Sequence, residues 1–179
     1  MDLLKSETLL RGGHVEVLRK TYRRADGRTI ARDVVHHPGS VAVIAHDEEF
    51  VYLVAQPREA VEEDRLLELP AGTLDVEGES ELECAQRELA EEAELRAERW
   101  SLLQVLYPSP GFLDERVTIF EATGLSPASG ERDDDEQIEV VRLPLAEVPA
   151  MLPDLRSALT LIGLLTLLVR TRRNSRSEF

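Results

Sequence analysis

Residues 69–95 read LPAGTLDVEGESELECAQRELAEEAEL and decide how the chain folds. The stretch opens with an apolar tetrapeptide ending in Gly72, which is typical of a strand that turns into a loop. Ser80 and Glu83 then form a capping-box pattern, and neither Gly nor Pro follows up to residue 93. The stretch therefore predicts a strand, a loop and a helix over residues 80–93.

The predicted helix has an apolar stripe and a carboxylate face. Three apolar side chains at helical spacing are predicted to face a core: Leu82, Ala85 and Leu89. Glu88, Glu91 and Glu92 lie three and four residues apart, so their carboxylates project from one side. Like charges at this spacing destabilise a helix unless a cation lies among them, and Mg²⁺ prefers oxygen ligands. The face predicts a metal site, with a solvated glutamate-rich surface as the alternative.

The rest of the chain is β-rich with few helices. Asp26-Gly27 is a hairpin turn signal between two strand-like segments, and other apolar segments predict further strands. The predicted strands are residues 15–20, 30–36, 41–45, 51–55, 102–107, 116–122 and 138–143, and the predicted helices are residues 145–151 and 158–169. This order indicates an α+β fold with mixed strands between helices.

Composition limits the classes of partner and location. The chain has 179 residues and 42% hydrophobic content, enough for one compact core. A net charge of −14 disfavours polymeric nucleic acid as a partner, whereas a small anionic ligand is compatible if metal ions neutralise an acidic pocket.

The single Cys84 and a charged N-terminus predict a cytoplasmic protein. The apolar residues 158–169 are interrupted by polar residues and glycine, so they predict a buried terminal helix and no membrane span. The alternative is an anchor on the membrane surface, since several arginines follow this segment.

The opening stretch resembles the signature of the Nudix hydrolase family, which is a Gly, a loop Glu, and then Arg-Glu-aliphatic-x-Glu-Glu-x-Gly-aliphatic. The matching residues are Gly72, Glu79, Arg87, Glu88, Leu89, Glu91, Glu92 and Leu95. The loop between Gly72 and Glu79 holds six residues rather than five, and Glu94 replaces the second Gly. We expect the extra loop residue to bulge outward at little cost. Glu94 would lose about 1 kcal/mol if its backbone must be left-handed.

This resemblance implies a fold and a metal site. The implied fold is an α/β/α sandwich with a mixed sheet, and the implied cofactor is Mg²⁺, with Mn²⁺ or another divalent metal as alternatives. By resemblance, Glu88, Glu92 and the main-chain carbonyl of Ala71 are metal ligands, Glu91 shares or orients the cluster, and Arg87 holds it through salt bridges. Diphosphate hydrolysis needs charge neutralisation and an activated water, which Mg²⁺ supplies.

Residues outside the signature resemble the ADP-ribose pyrophosphatase branch of the family. Pro110 lies sixteen residues after Glu94, the spacing of a proline that marks this branch. Residues 1–38 resemble its dimerising β-hairpin arm, which implies a homodimer, a hydrolase domain over residues 39–173 and a tail over residues 174–179. The segment Pro110-Gly111-Phe112 is implied to contact substrate, and an ordinary hairpin loop is the alternative.

Two further segments also resemble this branch. Residues 56–58 and 67–72 include Arg58 and Glu68 as implied substrate-binding residues. A guanidinium suits phosphate or ribose oxygens, and a surface ion pair of Arg58 with Glu62 or Glu63 is the alternative.

The acidic residues 131–136 resemble the catalytic loop of the branch. By position, Glu136 is implied to be a further metal ligand. Asp134 stands where the branch usually has the Glu that helps to activate water, so the two residues are assigned jointly. A solvated acidic loop is the alternative.

The expected reaction is hydrolysis of ADP-ribose to AMP and ribose 5-phosphate. One alternative is another nucleoside diphosphate sugar such as GDP-mannose, and a second is a non-catalytic module that binds ADP-ribose as a regulator. Tyr22, Phe112 and Phe120 are candidates for stacking on adenine, against a simpler role in the core or an interface.

Overall fold

A computed structural model of the chain describes residues 1–13, 15–130 and 137–174, with the backbone alone for residues 172–174. The chain forms two compact units. The first comprises residues 1–39 and 105–117, and the second comprises residues 40–104 and 118–179. The first unit thus combines the predicted arm with the segment that contains Pro110.

The first unit contains a three-stranded antiparallel sheet. Its strands are β1 (Asp2–Arg11), β2 (Glu16–Arg23) and β3 (Thr29–His36), in that order across the sheet. Gly27 turns the chain between β2 and β3 with φ 82°, a conformation that favours glycine. The hairpin expected from residues 15–20 and 30–36 is present. Strand β1 was not predicted, because two register shifts interrupt the alternation that marks a strand.

The second unit is built on a seven-stranded sheet. Its strands are β4 (Ser40–His46), β5 (Phe50–Arg58), β6 (Glu63–Glu68), β7 (Ala71–Thr73), β8 (Leu95–Leu106), β9 (Val117–Pro127) and β10 (Glu139–Pro144). Five strands run in the order β10-β5-β4-β9-β8, with β6 beside β5 and β7 beside β4. The strand predicted before the loop is present as the short β7, whereas β6 was not predicted.

Helices cover both faces of the central strand β4. The helices are α1 (Glu81–Ala93), α2 (Val148–Met151) and α3 (Ala158–Asn174), with 3-10 turns at Glu59–Val61 and Leu152–Asp154. Val41 and Val43 share a core cluster with Leu89 of α1. Ile44 projects to the opposite face, where its Cδ1 would lie 3.2 Å from a Cβ built on Gly163 of α3. The predicted α+β sandwich is therefore confirmed.

One predicted core position on α1 is wrong. Leu82 is 37% exposed, whereas Cys84, Ala85 and Leu89 are fully buried. Leu82 lies in the first turn of the helix, before the segment that packs on the sheet. Glu92 is buried on this same face, so the carboxylate face and the core adjoin at that residue. Among the described residues, no helix is long and apolar enough to cross a membrane.

Candidate metal and catalytic site

The start of α1 is fixed by its capping box. Glu83 N donates to Ser80 Oγ at 3.3 Å, and Ser80 N donates to Glu83 Oε2 at 2.8 Å. Both bonds satisfy main-chain donors that a helix leaves unpaired at its first turn. The predicted capping box is confirmed, and it sets where the carboxylates on the following turns lie.

Arg87 connects the carboxylates of the site. Its Nε and Nη2 donate to the two oxygens of Glu79 at 2.9 and 3.1 Å. Its Nη1 donates to Glu88 Oε1 at 2.8 Å and to Glu91 Oε2 at 2.9 Å. The planar guanidinium suits this arrangement because its donors point in fixed directions toward several oxygens. Arg87 therefore holds the loop before α1 and two residues of the helix together.

Electrostatics keep these groups charged and the neighbouring thiol neutral. The hydrogen bonds from Arg87 lower the pKa of Glu79 below its usual value, and those to Glu79 raise the pKa of Arg87. Burial, followed by the nearby charges of Glu79 and Glu88, raises the pKa of Cys84 to about 12. Cys84 is therefore a protonated thiol that donates to the carbonyl of Thr73 at 3.6 Å. It has none of the thiolate character of a nucleophile.

Glu88 lies directly over Gly72. A Cβ built on Gly72 would lie 1.9 Å from Glu88 Oε1 and 2.0 Å from its Cδ, far inside van der Waals contact. Gly72 pairs with Val41 across β7 and β4, which holds its backbone in place. Glycine is required here for close approach, because any side chain would occupy the space of the Glu88 carboxylate.

Glu92 is a buried carboxylate held by the same strand. It is 4% exposed, and its Oε2 accepts a hydrogen bond from Ala71 N at 2.8 Å. A buried charge is costly unless it is hydrogen-bonded or paired, so this bond helps to maintain the carboxylate. The structure thus brings together five of the predicted site residues: Ala71, Arg87, Glu88, Glu91 and Glu92.

The oxygen atoms gathered at this site are of the chemical type that binds a hard divalent cation. The site offers carboxylate oxygens and the main chain of β7, which are the ligand types that Mg²⁺ prefers. Within the described residues, however, no three His, Cys, Asp or Glu side chains form a group that could hold a metal ion. The oxygens that would converge are engaged by Arg87 and by the amide of Ala71. A cation would therefore compete with these donors for the carboxylates.

The two departures from the family signature leave these contacts intact. Residues 75–78 of the longer loop are exposed, and Glu79 N donates to Val76 O at 3.2 Å in an outward turn. Glu94 ends α1 with φ 56° and ψ 35°, the left-handed conformation in which the family has glycine, and its N–H donates to Leu89 O. The extra residue and Glu94 thus change the loop surface and the helix end.

Arg58 and Glu68 contact each other on neighbouring strands. Arg58 Nε donates to Glu68 Oε2 at 2.7 Å. The alternative pairing of Arg58 with Glu62 or Glu63 is not what the structure shows, and Glu63 instead pairs with Arg156. The two predicted substrate-binding residues form one ion pair at the junction of β5 and β6.

The remaining predicted residues lie elsewhere or outside the described chain. Pro110, Gly111 and Phe112 belong to the first unit, where Phe112 is 57% exposed. Phe120 is buried in the second unit with an edge-on contact to Trp100, which favours a core role for its ring. Asp134 and Glu136 lie outside the described residues. Tyr22 is half-buried on β2.

Two residues absent from the predicted site contribute to its geometry. Glu79 forms the two-pronged pair with Arg87, and its place in the family signature was the available signal. Gly130 lies against α1 so closely that a Cβ there would be 2.5 Å from the N and Cα of Glu91. Nothing in the sequence indicated this contact, because Gly130 lies 39 residues after Glu91 and in no recognisable motif.

Comparison with known proteins is consistent with this geometry. The model of the NUDIX domain family matches residues 35–161. The ADP-ribose pyrophosphatase of Mycobacterium tuberculosis is 38% identical over 82% of this chain and 72% of its own length. That of Bacillus subtilis is 35% identical over 80% and 78%, respectively. A solved ADP compounds hydrolase superposes with a TM-score of 0.83 at 25% identity and covers 98% of this chain and 96% of its own.

Other relatives of similar identity have different names. They include a methanol dehydrogenase activator of Bacillus methanolicus at 35% and a GDP-mannose pyrophosphatase of Yersinia enterocolitica at 34%, each over 80% of this chain and 78% and 72% of their own lengths.

The chain belongs to the NUDIX domain family. The predictions of this family and of a hydrolase are therefore confirmed.

Proposed function

We propose that this chain hydrolyses the diphosphate linkage of ADP-ribose, giving AMP and ribose 5-phosphate, with Mg²⁺ as its metal. The observation that carries the proposal is the carboxylate cluster of α1, which Arg87 and β7 hold in one place. Two relatives named ADP-ribose pyrophosphatase support the substrate. Members of the family generally act with a divalent metal, which supports the cofactor.

The residues of this chain would divide the work as follows. Glu88 and Glu92, with the main chain of Ala71, hold the cation, and Glu91 orients the cluster through Arg87. When bound, a divalent cation neutralises charge on the diphosphate oxygens and favours ionisation of an attacking water. Arg87 holds Glu88 and Glu91 together before the cation binds, and the cation would compete with it for their oxygens. Arg58, Glu68 and residues 110–112 are proposed to bind the nucleotide sugar, and Asp134 with Glu136 to assist at the water.

A substrate panel with purified protein tests this proposal. We expect AMP release from ADP-ribose in the presence of Mg²⁺, loss of activity with chelator, and recovery with excess Mg²⁺. GDP-mannose belongs in the panel because relatives named GDP-mannose pyrophosphatase match this chain. If ADP-ribose is among the poorest substrates, the proposed specificity is wrong. If no nucleoside diphosphate sugar is cleaved while ADP-ribose binds, the non-catalytic alternative takes its place.

Glu92→Gln tests the metal site within the same protein. The substitution keeps the size and one acceptor oxygen but removes the charge, so we expect at least a 100-fold loss of Mg²⁺-dependent turnover. Glu81→Gln is the matched control, since Glu81 lies on the same helix outside the family signature. Unchanged turnover in Glu92→Gln would exclude it as a metal ligand.

We also propose a homodimer formed through the three-stranded sheet. Every residue of the edge strand β1 is exposed, including four leucines: Leu3, Leu4, Leu9 and Leu10. An exposed apolar edge strand is an unfavourable surface for a monomer. Light scattering at micromolar concentration tests this, and a mass of one chain would contradict it.

A further inference from the structure

The buried hydroxyl of Thr160 bonds outside its own helix. Thr160 lies in the first turn of α3 and is fully buried. A threonine hydroxyl inside a helix often bonds to the carbonyl four residues earlier, as Thr166 Oγ1 does by donating to Ile162 O at 2.8 Å. Thr160 Oγ1 instead accepts a hydrogen bond from Leu69 N at 3.0 Å and donates to Ser157 Oγ at 3.0 Å. The hydroxyl therefore joins α3 to the segment that leads into β7.

The same face of α3 also contacts the side chain of Leu69, which is 1% exposed. Gly163 lies three residues after Thr160, so the two share one face of the helix. A Cβ built on Gly163 would lie 2.7 Å from Leu69 Cδ1, which means that the backbone of α3 approaches the leucine directly. Leu69 is thus held by α3 at both its main-chain N–H and its side chain.

Leu69 is connected to Ala71 through a stiff link. The ring of Pro70 fixes its own φ, and Pro70 O accepts a hydrogen bond from Val43 N at 2.8 Å. The N–H and C=O of one residue in a strand point to the same side. The carbonyl of Ala71 therefore points away from β4, as does its N–H, which donates to Glu92 Oε2 at 2.8 Å. A displacement of Leu69 would be passed to this carbonyl.

We propose that Thr160 is a positioning residue for the cation site and acts through Leu69 on the main chain of Ala71. This inference rests on the proposed function, because it takes the carbonyl of Ala71 as a metal ligand. Thr160 itself touches neither the cation nor the substrate. It is an outer hydrogen-bond partner that orients a ligand, and loss of such a partner typically weakens metal affinity about 10- to 100-fold.

The main test is Thr160→Val, which keeps the shape of the side chain and removes the acceptor for Leu69 N. We expect Mg²⁺ binding in the absence of substrate, measured by isothermal titration calorimetry, to weaken about tenfold. The Mg²⁺ concentration that half-saturates AMP release should rise by a similar factor, with kcat at saturating Mg²⁺ within about threefold of wild type. The amide resonance of Ala71 should also shift, which a loss of stability alone would not cause.

Two further variants separate positioning from a general effect on the helix. Thr160→Ser retains the hydroxyl, so Mg²⁺ binding should return to within about twofold of wild type. Thr166→Val is the matched control, because it makes the same substitution on the same helix but removes a hydroxyl that bonds within α3. It should change neither Mg²⁺ binding nor the amide resonance of Ala71.

Each alternative result has a distinct meaning. Wild-type Mg²⁺ binding in folded Thr160→Val, no recovery in Thr160→Ser, or an equal loss in Thr166→Val would overturn the positioning role. If Thr160→Val does not fold, Thr160→Cys decides the question, because a thiol is a weaker acceptor of similar size. Weaker Mg²⁺ binding in Thr160→Cys would then support the role, and wild-type binding would refute it. A wild-type protein that binds Mg²⁺ but cleaves no nucleoside diphosphate sugar would instead refute the proposed function, while calorimetry would still decide the role of Thr160.

Discussion

Gly72→Ala should separate catalysis from stability at the site. The new Cβ would lie 1.9 Å from Glu88 Oε1, whereas carbon and oxygen atoms in contact need roughly 3.4 Å, so the carboxylate must move by about 1.5 Å. The clash extends from the carboxylate to Glu88 Cγ at 2.3 Å, so the whole side chain must rotate, and we expect a stability loss of about 1 kcal/mol. A misplacement of this size in a catalytic group costs on the order of 100-fold in rate, or about 2.7 kcal/mol.

The assay is AMP release from ADP-ribose across a Mg²⁺ titration, with thermal unfolding of the same samples. We expect kcat/KM to fall about 100-fold and half-saturation to shift to higher Mg²⁺, with the melting temperature within a few degrees of wild type. Gly13→Ala is the matched control, because a Cβ there meets nothing within 4 Å and its backbone is not left-handed. It should retain full activity.

A double-mutant cycle shows whether Gly72 acts through Glu88. If it does, Gly72→Ala combined with Glu88→Gln should be no less active than Glu88→Gln alone, since the displaced group is already lost. Additive losses would refute this reasoning, because they would mean that Gly72→Ala damages something other than the carboxylate. Wild-type activity in Gly72→Ala would refute it as directly.

Two further predictions concern stability. Glu94→Gly should raise the free energy of unfolding by roughly 0.5–1 kcal/mol in urea titrations, because Glu94 holds φ 56°; a loss of stability would show that its side-chain contacts outweigh the backbone strain. Asp114→Asn should cost about 2 kcal/mol near pH 7, because the folded-state pKa of Asp114 lies near 2 and its unfolded value near 4. A depressed carboxyl pKa stabilises the fold above the unfolded value, so this difference should vanish as pH falls from 4 to 2; a difference unchanged by pH would contradict its ionic origin.

Local sequence signals predicted the elements that local interactions determine. The capping box requires only Ser80 and Glu83 three residues apart, and α1 begins where that spacing predicts. The left-handed backbone of Glu94, at the C-terminal end of α1, was expected because the family signature has glycine at this position. Strand β1 gave no such signal, because register shifts at two points interrupt its alternation and its leucines occur in pairs.

Contacts between distant residues could not be predicted in this way. The pairing of Arg58 with Glu68 depends on the register of β5 and β6, which shifts between Gln56 and Arg58. A shift of one residue changes which side chains meet on a face, so the sequence alone offered Glu62 or Glu63, and not Glu68, as the ion-pair partner of Arg58. The burial of Glu92 likewise depends on where β7 crosses α1, which helical spacing does not specify.

The charge balance of the site argues that its carboxylates are arranged for a cation. The guanidinium of Arg87 contacts three carboxylates, those of Glu79, Glu88 and Glu91, whereas the carboxylate of Glu92 accepts a hydrogen bond from Ala71 N. Arg87 directs two of its nitrogens to Glu79 and the third to Glu88 and Glu91, so one positive charge is shared among three carboxylates. Glu92 adds a fourth carboxylate in a buried setting, where an ionised group is more costly than in water. A divalent ion bound beside these four groups would offset their mutual repulsion, which is the role that the proposed function gives to Mg²⁺.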